Sequence, residues 1–231
     1  MTIPDKTPSI IQNMFSSIVP EYDFLNHLLS FGMDRSWRRN FVKKLPQDCS
    51  IILDVCGGTG DMILALNDNS VRINMDFSYS MLLAAKKKFS SGNMNILSVC
   101  ADALNTPFRD SSLSMAVSAY GIRNLYDIDK GLEEIKRLLK PGGTLGILEF
   151  FKPKQNFIRK IFDIIYLKTF MPFIGYVISG HRDAYKYLSQ SIERFYDLKS
   201  FCLNLEKYGF EIIWHKDFFF GITSAIVAIK K

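Results

Sequence analysis

Residues 51–61 read Ile51-Ile52-Leu53-Asp54-Val55-Cys56-Gly57-Gly58-Thr59-Gly60-Asp61, an apolar run that meets an acid and then a cluster of glycines. Followed by apolar residues from Met62 to Leu66, this run predicts a buried parallel strand, a tight turn and the start of a helix. The glycines let the backbone take φ values that other residues avoid, so a ligand can approach the main chain closely. A turn of this kind at the carboxyl end of a strand is where open α/β sheets hold ligands. It can also be a purely structural turn, and the residues around it decide between the two.

Dinucleotide sites use G-x-G-x-x-G and phosphate-cradling loops use G-x-x-x-x-G-K-S/T; neither pattern is present. Asp54 stands before the glycines and Asp61 after them. Two carboxylates repel a pyrophosphate but suit a cationic or zwitterionic ligand. S-adenosylmethionine, with an ammonium, a sulfonium and no phosphate, meets that description. A second run, Val71-Arg72-Ile73-Asn74-Met75-Asp76, reads as a strand ending in the acid that commonly takes ribose hydroxyls. Asp76 can instead cap the helix expected over residues 79–89, a task that Ser78 can also perform. Asp102 follows a third expected strand, Asn95 to Cys100, and Asp102-Ala103 can meet an adenine amino group.

The alternation continues. Ser114 to Ala119 predicts a fourth strand, Ile128 to Leu139 an amphipathic helix, Lys140-Pro141-Gly142-Gly143 its stop, and Thr144 to Phe150 a fifth strand. Phe210 to Lys216 and Thr223 to Ile229 read as closing strands joined by residues 217–222. Such alternation predicts an α/β, doubly wound, mostly parallel seven-stranded sheet with helices on both faces. One domain is expected, with an N-terminal helical lid (1–49), a cofactor-binding core (50–150), a helical insertion (151–209) and the closing strands (210–231). With 231 residues, 48% of them hydrophobic, the chain can bury a large core without disulfides. Cys49, Cys56, Cys100 and Cys202 form no C-x-x-C pair and the first residues lack a secretory signature, so a cytoplasmic protein without structural zinc is expected.

The Leu53-Asp54-Val55 to Asp61 turn and the strand order resemble a class I, Rossmann-like S-adenosylmethionine-dependent methyltransferase. More narrowly, the chain is similar to the ubiquinone/menaquinone biosynthesis C-methyltransferase family, also called demethylmenaquinone methyltransferases. The resemblance runs through Tyr22-Asp23-Phe24-Leu25-Asn26-His27-Leu28-Leu29-Ser30, Asp34-Arg35-Ser36-Trp37-Arg38-Arg39, Ala101-Asp102-Ala103-Leu104 and Gly121-Ile122-Arg123-Asn124. It continues through Leu148-Glu149-Phe150 and Tyr185-Lys186-Tyr187-Leu188-Ser189-Gln190-Ser191-Ile192. The first turn is common to many methyltransferases; the Tyr-Asp-x-Leu-Asn-His and Gly-Ile-Arg-Asn segments are far more specific. The resemblance implies cofactor contacts at Thr59, Asp76 and the pair Asp102-Ala103, beside Asp54, Gly57, Gly58 and Gly60 of the turn. A position that is commonly serine in the family falls on Ala119, with Ser118 one residue earlier, and His181 stands where the family often has an acid.

The reaction implied is methyl transfer to a ring carbon of a prenylated hydroquinone, most simply demethylmenaquinol to menaquinol. Removing a proton from the neighbouring hydroxyl puts phenolate density on that carbon, and a positioned base contributes roughly 10²–10⁴-fold. This chemistry requires no metal. Arg123, after the fourth strand, is a candidate to hold the phenolate oxygen, with Asn124 as a neutral donor; Arg123 can equally serve a structural ion pair. His27, whose unperturbed pKa is about 6.5, is a candidate base or a packed histidine. Tyr22 and Asp23 are expected just ahead of the helix that carries His27, where both can line the lid and Asp23 can cap the helix.

The whole excess positive charge lies late in the chain. Residues 1–150 carry 16 basic and 16 acidic side chains, residues 151–231 carry 13 and 7, and the basic residues lie beside the aromatic-rich segment Phe157 to Ser179. Charges and Pro172 interrupt that segment, so it predicts an interfacial or pocket-lining helix pair rather than a membrane span. A peripheral contact with an anionic membrane through residues 151–209 is expected, and the resemblance implies a homodimer. Nucleic acid is not an expected partner, because the basic residues are scattered and no RNA-binding module is evident. The rival readings are an RNA or other small-molecule methyltransferase and a non-catalytic cofactor-binding subunit of a quinone-synthesis assembly.

Overall fold

The computed structural model describes residues 7–66, 70–92, 94–152, 182–218, 221 and 223–231. Three helices open the chain: α1 (Pro8–Ser17), α2 (Val19–Leu29) and α3 (Met33–Val42). Then β1 (Ile51–Val55), α4 (Asp61–Ala65), β2 (Val71–Asp76), α5 (Tyr79–Ser91) and β3 (Ile96–Cys100) form the first half of the sheet. The second half runs through β4 (Leu113–Ala119), a 3₁₀ turn at Ile122–Asn124, α6 (Ile128–Leu138) and β5 (Leu139–Phe150). After residues 153–181 come α7 (Arg182–Arg194), α8 (Leu198–Lys207), β6 (Phe210–Phe218) and β7 (Thr223–Lys230).

The seven strands follow the order β3-β2-β1-β4-β5-β7-β6. The first five are parallel, and β7 runs antiparallel to both β5 and β6. The doubly wound α/β sheet expected from the sequence is therefore the fold. Alternation along each strand divides the core in two. Leu53, Val55, Ile73 and Met75 face α6 and α8, where Leu132, Ile135, Phe201 and Leu205 are buried. Ile52, Met115 and Val117 face the other way, onto Trp37 and Phe41 of α3, Met62 and Ile63 of α4, and Ala85 and Phe89 of α5. The strand order reverses between β1 and β4, and a crevice opens there at the carboxyl ends of the strands, as the switch point of a doubly wound sheet requires.

Two local expectations are corrected. Helix α6 ends at Leu138, because Leu139 is already extended (φ −71°, ψ 140°) and pairs with Leu113 of β4. Lys140-Pro141-Gly142-Gly143 is thus the irregular beginning of β5 rather than a separate stop. The register of the β4–β5 pair shifts there, between Leu113 and Met115, and Gly142 takes φ +72°. Helix α2 begins earlier than expected and contains Tyr22 and Asp23, so Asp23 caps nothing. His181 and the segment Phe157 to Ser179 lie outside the described residues. Among the described residues, no helix is long and apolar enough to cross a membrane.

Candidate functional site

A cleft of about 840 Å³, counted out to its open mouth, lies over the carboxyl ends of β1, β2 and β4. Cys56 and Gly58 of the glycine turn, Asp76 and Phe77 after β2, and Asp102 and Ala103 after β3 form its floor. Ala119, Tyr120, Gly121 and Asn124 close one wall, and Ile11, Phe15 and Tyr22 of the N-terminal helices cover it.

The turn is built by close packing. A Cβ on Gly57 would stand 2.0 Å from Asn74 Oδ1 and 2.9 Å from Asp54 Cγ, and one on Gly60 would stand 2.5 Å from the Phe89 ring. Neither position admits a side chain. At Gly58 an added Cβ would meet nothing within 4 Å, but its φ of +54° favours glycine. Gly58 N–H donates to Asp76 Oδ2 at 2.9 Å, and its carbonyl accepts from Asn74 Nδ2 at 3.2 Å.

Asp76 is held at both oxygens, since Ser78 N–H donates to Oδ1 at 2.8 Å. Burial pushes its carboxyl above the ordinary range, and the backbone donors of Ser78 and Gly58 pull it back. Asp76 itself lines the cleft. Asp102 accepts Leu104 N–H at 2.9 Å and lines the cleft with Ala103.

Asp54, by contrast, lies under the turn and off the cleft lining. Its Oδ2 accepts Ile63 N–H at 3.2 Å, its buried Oδ1 has no hydrogen-bond partner among the described residues, and burial pushes its pKa up to about 8. The Thr59 hydroxyl donates to Asp23 Oδ1 of α2 at 2.5 Å, outside the cleft lining. Ser118 donates to Val55 O at 2.7 Å, so its hydroxyl is committed to the sheet while Ala119 lines the cleft. The Cys56 thiol is pushed well up, first by burial and then by Asp76 and Asp54.

Tyr120 carries the opposite wall in an unusual backbone state. It has φ +62°, which costs a non-glycine residue about 1–2 kcal/mol. Its carbonyl accepts from both Arg123 Nη1 and Asn124 Nδ2, the latter at 3.3 Å. Asn124 Oδ1 accepts from Tyr187 OH of α7 at 3.2 Å. The cleft therefore meets an amide fixed at both ends.

Arg123 sits behind that amide. Its Nη1 donates to Glu149 Oε1 at 2.7 Å, its backbone N–H donates to Glu149 Oε2 at 3.1 Å, and its guanidinium lies 5.5 Å from the Phe150 ring centre. The structural ion pair is the one present, and Arg123 is not among the cleft-lining residues. Tyr22 does line the cleft: burial pushes its phenol up, while the Arg123 charge and a hydrogen bond with Asn26 draw it back. Tyr187 is pushed up to about 12, chiefly by burial. His27 lies off the cleft lining, its Nδ1 2.8 Å from Asp34 Oδ2.

The lid is tied to the turn by charges. Lys88 of α5 lies 2.5 Å from Asp23 Oδ2 of the lid and 2.7 Å from Asp61 Oδ1, and Arg38 of α3, paired within its own helix to Asp34, stands 4.0 Å from Asp61 Oδ2. Glu149 and the Tyr120 backbone were not expected as site-building residues. An acid closing the fifth strand is a signal for the first; a left-handed tyrosine leaves none, because glycine or asparagine is usual in that conformation.

The model of the ubiE/COQ5 methyltransferase family matches residues 3–230. The chain belongs to the ubiE/COQ5 methyltransferase family. It is similar to the ubiquinone/menaquinone biosynthesis C-methyltransferase UbiE of Rickettsia akari (36% identity over 228 residues, 95% of this chain and 92% of that one). The Rickettsia bellii protein of the same name is 37% identical over 231 residues, covering 96% and 93%. Solved structures share the fold at lower identity. A methyltransferase of Thermotoga maritima described as a possible histamine N-methyltransferase has a TM-score of 0.66 at 20% identity, covering 95% of this chain and 99% of that one. The [4+2]-cyclase SpnF has a TM-score of 0.70 at 16% identity, covering 95% and 94%.

As a member of this methyltransferase family, the protein uses S-adenosylmethionine, which supplies a methyl group on a sulfonium. The cleft suits that group: its floor carries the carboxylates of Asp76 and Asp102, and the Gly58 backbone lies open to it.

Proposed function

We propose that this methyltransferase alkylates a ring carbon of a prenylated hydroquinone, with demethylmenaquinol as the acceptor and menaquinol as the product. The ribose hydroxyls of the cofactor bond to Asp76 and its adenine amino group to Asp102 beside Ala103. The names of the Rickettsia relatives support quinone-ring methylation. The observation that carries the reading is the Asn124 amide, which faces the cleft with both ends fixed by Tyr120 and Tyr187.

Such an arrangement stabilises a phenolate oxygen. Asn124 has an amide hydrogen to offer besides the one given to Tyr120. Tyr22, which lines the cleft and whose phenol burial pushes up, donates a second hydrogen bond to that oxygen. Arg123, its charge met by Glu149, donates to the Tyr120 carbonyl that also accepts from Asn124, and so helps hold that amide in place. With the hydroxyl proton released to water and the phenolate held, the ring carbon beside it attacks the methyl in line, and the sulfur–methyl bond breaks to leave S-adenosylhomocysteine. Loss of the ring proton to water restores the aromatic ring, with the oxygen regaining a proton afterwards. His27, engaged with Asp34, acts in the lid.

The acceptor's prenyl tail requires access to a bilayer, and the basic region 151–209 supplies the peripheral contact. Co-sedimentation with vesicles that increases with anionic lipid supports this contact; binding indifferent to anionic lipid contradicts it. The reaction itself is tested by incubating the purified protein with methyl-labelled S-adenosylmethionine and either demethylmenaquinol or total RNA. Label is expected in the quinol alone. Label in RNA favours the nucleic-acid reading, and label in neither favours a non-catalytic subunit.

A further inference from the structure

The amino-acid tail of S-adenosylmethionine ends in a carboxylate, yet Asp23, Asp54, Asp61 and Asp76 all lie in or against the glycine turn. A carboxylate entering there needs a cation with donors still available. Lys88 is already shared between Asp23 and Asp61. Arg123 is held by Glu149 and the Tyr120 carbonyl.

Arg38 differs from both. Its Nη1 is fixed by Asp34, which is itself held by His27 Nδ1 and Ser30 Oγ, each at 2.8 Å. Its Nη2 stands 4.0 Å from Asp61 Oδ2, beyond hydrogen-bond reach. Its buried Nε has no hydrogen-bond partner among the described residues, although Arg38 is only 8% exposed. Nε and Nη2 lie side by side on one edge of the guanidinium, the edge that takes a carboxylate through two parallel hydrogen bonds. The guanidinium carbon lies 5.6 Å from the ring centre of Tyr120, a cleft-lining residue.

We propose that Arg38 receives the carboxylate of the cofactor's amino-acid tail on its Nε–Nη2 edge while Asp34 holds the opposite corner. A buried N–H without a partner is costly, and a bound carboxylate removes that cost. Because Arg38 belongs to α3, the lid itself grips the cofactor tail. The proposal rests on the nucleoside lying in the cleft with its ribose at Asp76.

Calorimetric titration with three ligands tests it: S-adenosylhomocysteine, its decarboxylated analogue, and methylthioadenosine, which lacks the tail. The wild-type protein should bind S-adenosylhomocysteine about ten- to a hundredfold more tightly than the decarboxylated analogue. Arg38→Met should bind the two within about threefold of each other and keep its affinity for methylthioadenosine. Arg38→Lys retains the charge without the paired edge and should lose most of the preference. A preference that survives in either variant overturns the proposal, as does an equal loss of affinity for all three ligands in both. Failure of methylthioadenosine to bind the wild-type protein would overturn the nucleoside placement instead.

Discussion

Replacing Asp76 by asparagine keeps the size of the side chain but removes its charge and one acceptor. In the structure its oxygens accept backbone N–H groups from Gly58 at 2.9 Å and Ser78 at 2.8 Å, with Phe77 a further backbone donor, and the acceptor capacity left over is what a vicinal diol would use. An asparagine oxygen cannot serve both backbone donors and both ribose hydroxyls. Losing one charge-assisted hydrogen bond to the ligand costs about 1.5–3 kcal/mol, or about 10- to 150-fold in Kd. The fold should survive, because burial already raises the Asp76 pKa and removing a strained charge offsets part of the lost backbone bond. Isothermal titration with S-adenosylhomocysteine, and with an analogue lacking the ribose hydroxyls, reads the effect directly. The wild-type protein should discriminate strongly against the analogue and Asp76→Asn only weakly. A variant Kd within about threefold of wild type, or undiminished discrimination, would refute the ribose assignment.

Other perturbations follow from the same geometry. Gly57→Ala drives a methyl into Asn74 and Asp54; it should cost about 1–3 kcal/mol, seen as a lowered melting temperature. Asp54 holds a proton in the folded state up to about pH 8 that the unfolded chain releases near its ordinary value of 3.8. Its contribution to stability therefore falls as pH rises between those limits, and Asp54→Asn should flatten the pH dependence of the melting temperature across that window in cofactor-free protein. Tyr187→Phe frees the Asn124 oxygen and should lower kcat several-fold, on the order of one hydrogen bond of about 0.5–1.5 kcal/mol, with the S-adenosylhomocysteine Kd unchanged. Asp23→Ala releases both Thr59 and Lys88 from the lid, and hydrogen exchange in α2 should accelerate; equal protection would show that packing alone holds the lid.

The sheet was legible because each parallel strand announces itself by an apolar run and a breaker. Val71–Asp76 begins and ends where the sequence places it, and Ile51–Val55 occupies the apolar run ahead of the glycines. Lys140 to Gly143 misleads because proline and two glycines mark both a helix stop and an irregular strand, and only pairing with β4 separates the two. Candidate acids were legible from their strand ends, but not their roles. Asp54 and Asp76 differ by the depth at which the turn covers them. Arg123 meets Glu149 across 26 residues, and Thr59 meets Asp23 across 36. Such pairings depend on which strand ends the topology brings together and on how the lid lies over them, and no local spacing records either.

The position of the transferred methyl separates carbon from oxygen alkylation. The purified protein is incubated with S-adenosylmethionine carrying a deuterated methyl group and with demethylmenaquinone, supplied once reduced and once oxidised, and the label is located by mass spectrometry and NMR. The expected result is one labelled methyl on a ring carbon, replacing a ring hydrogen, from the reduced acceptor only. A labelled methyl on a ring oxygen, or equal transfer to the oxidised quinone, would contradict a phenolate-driven carbon methylation.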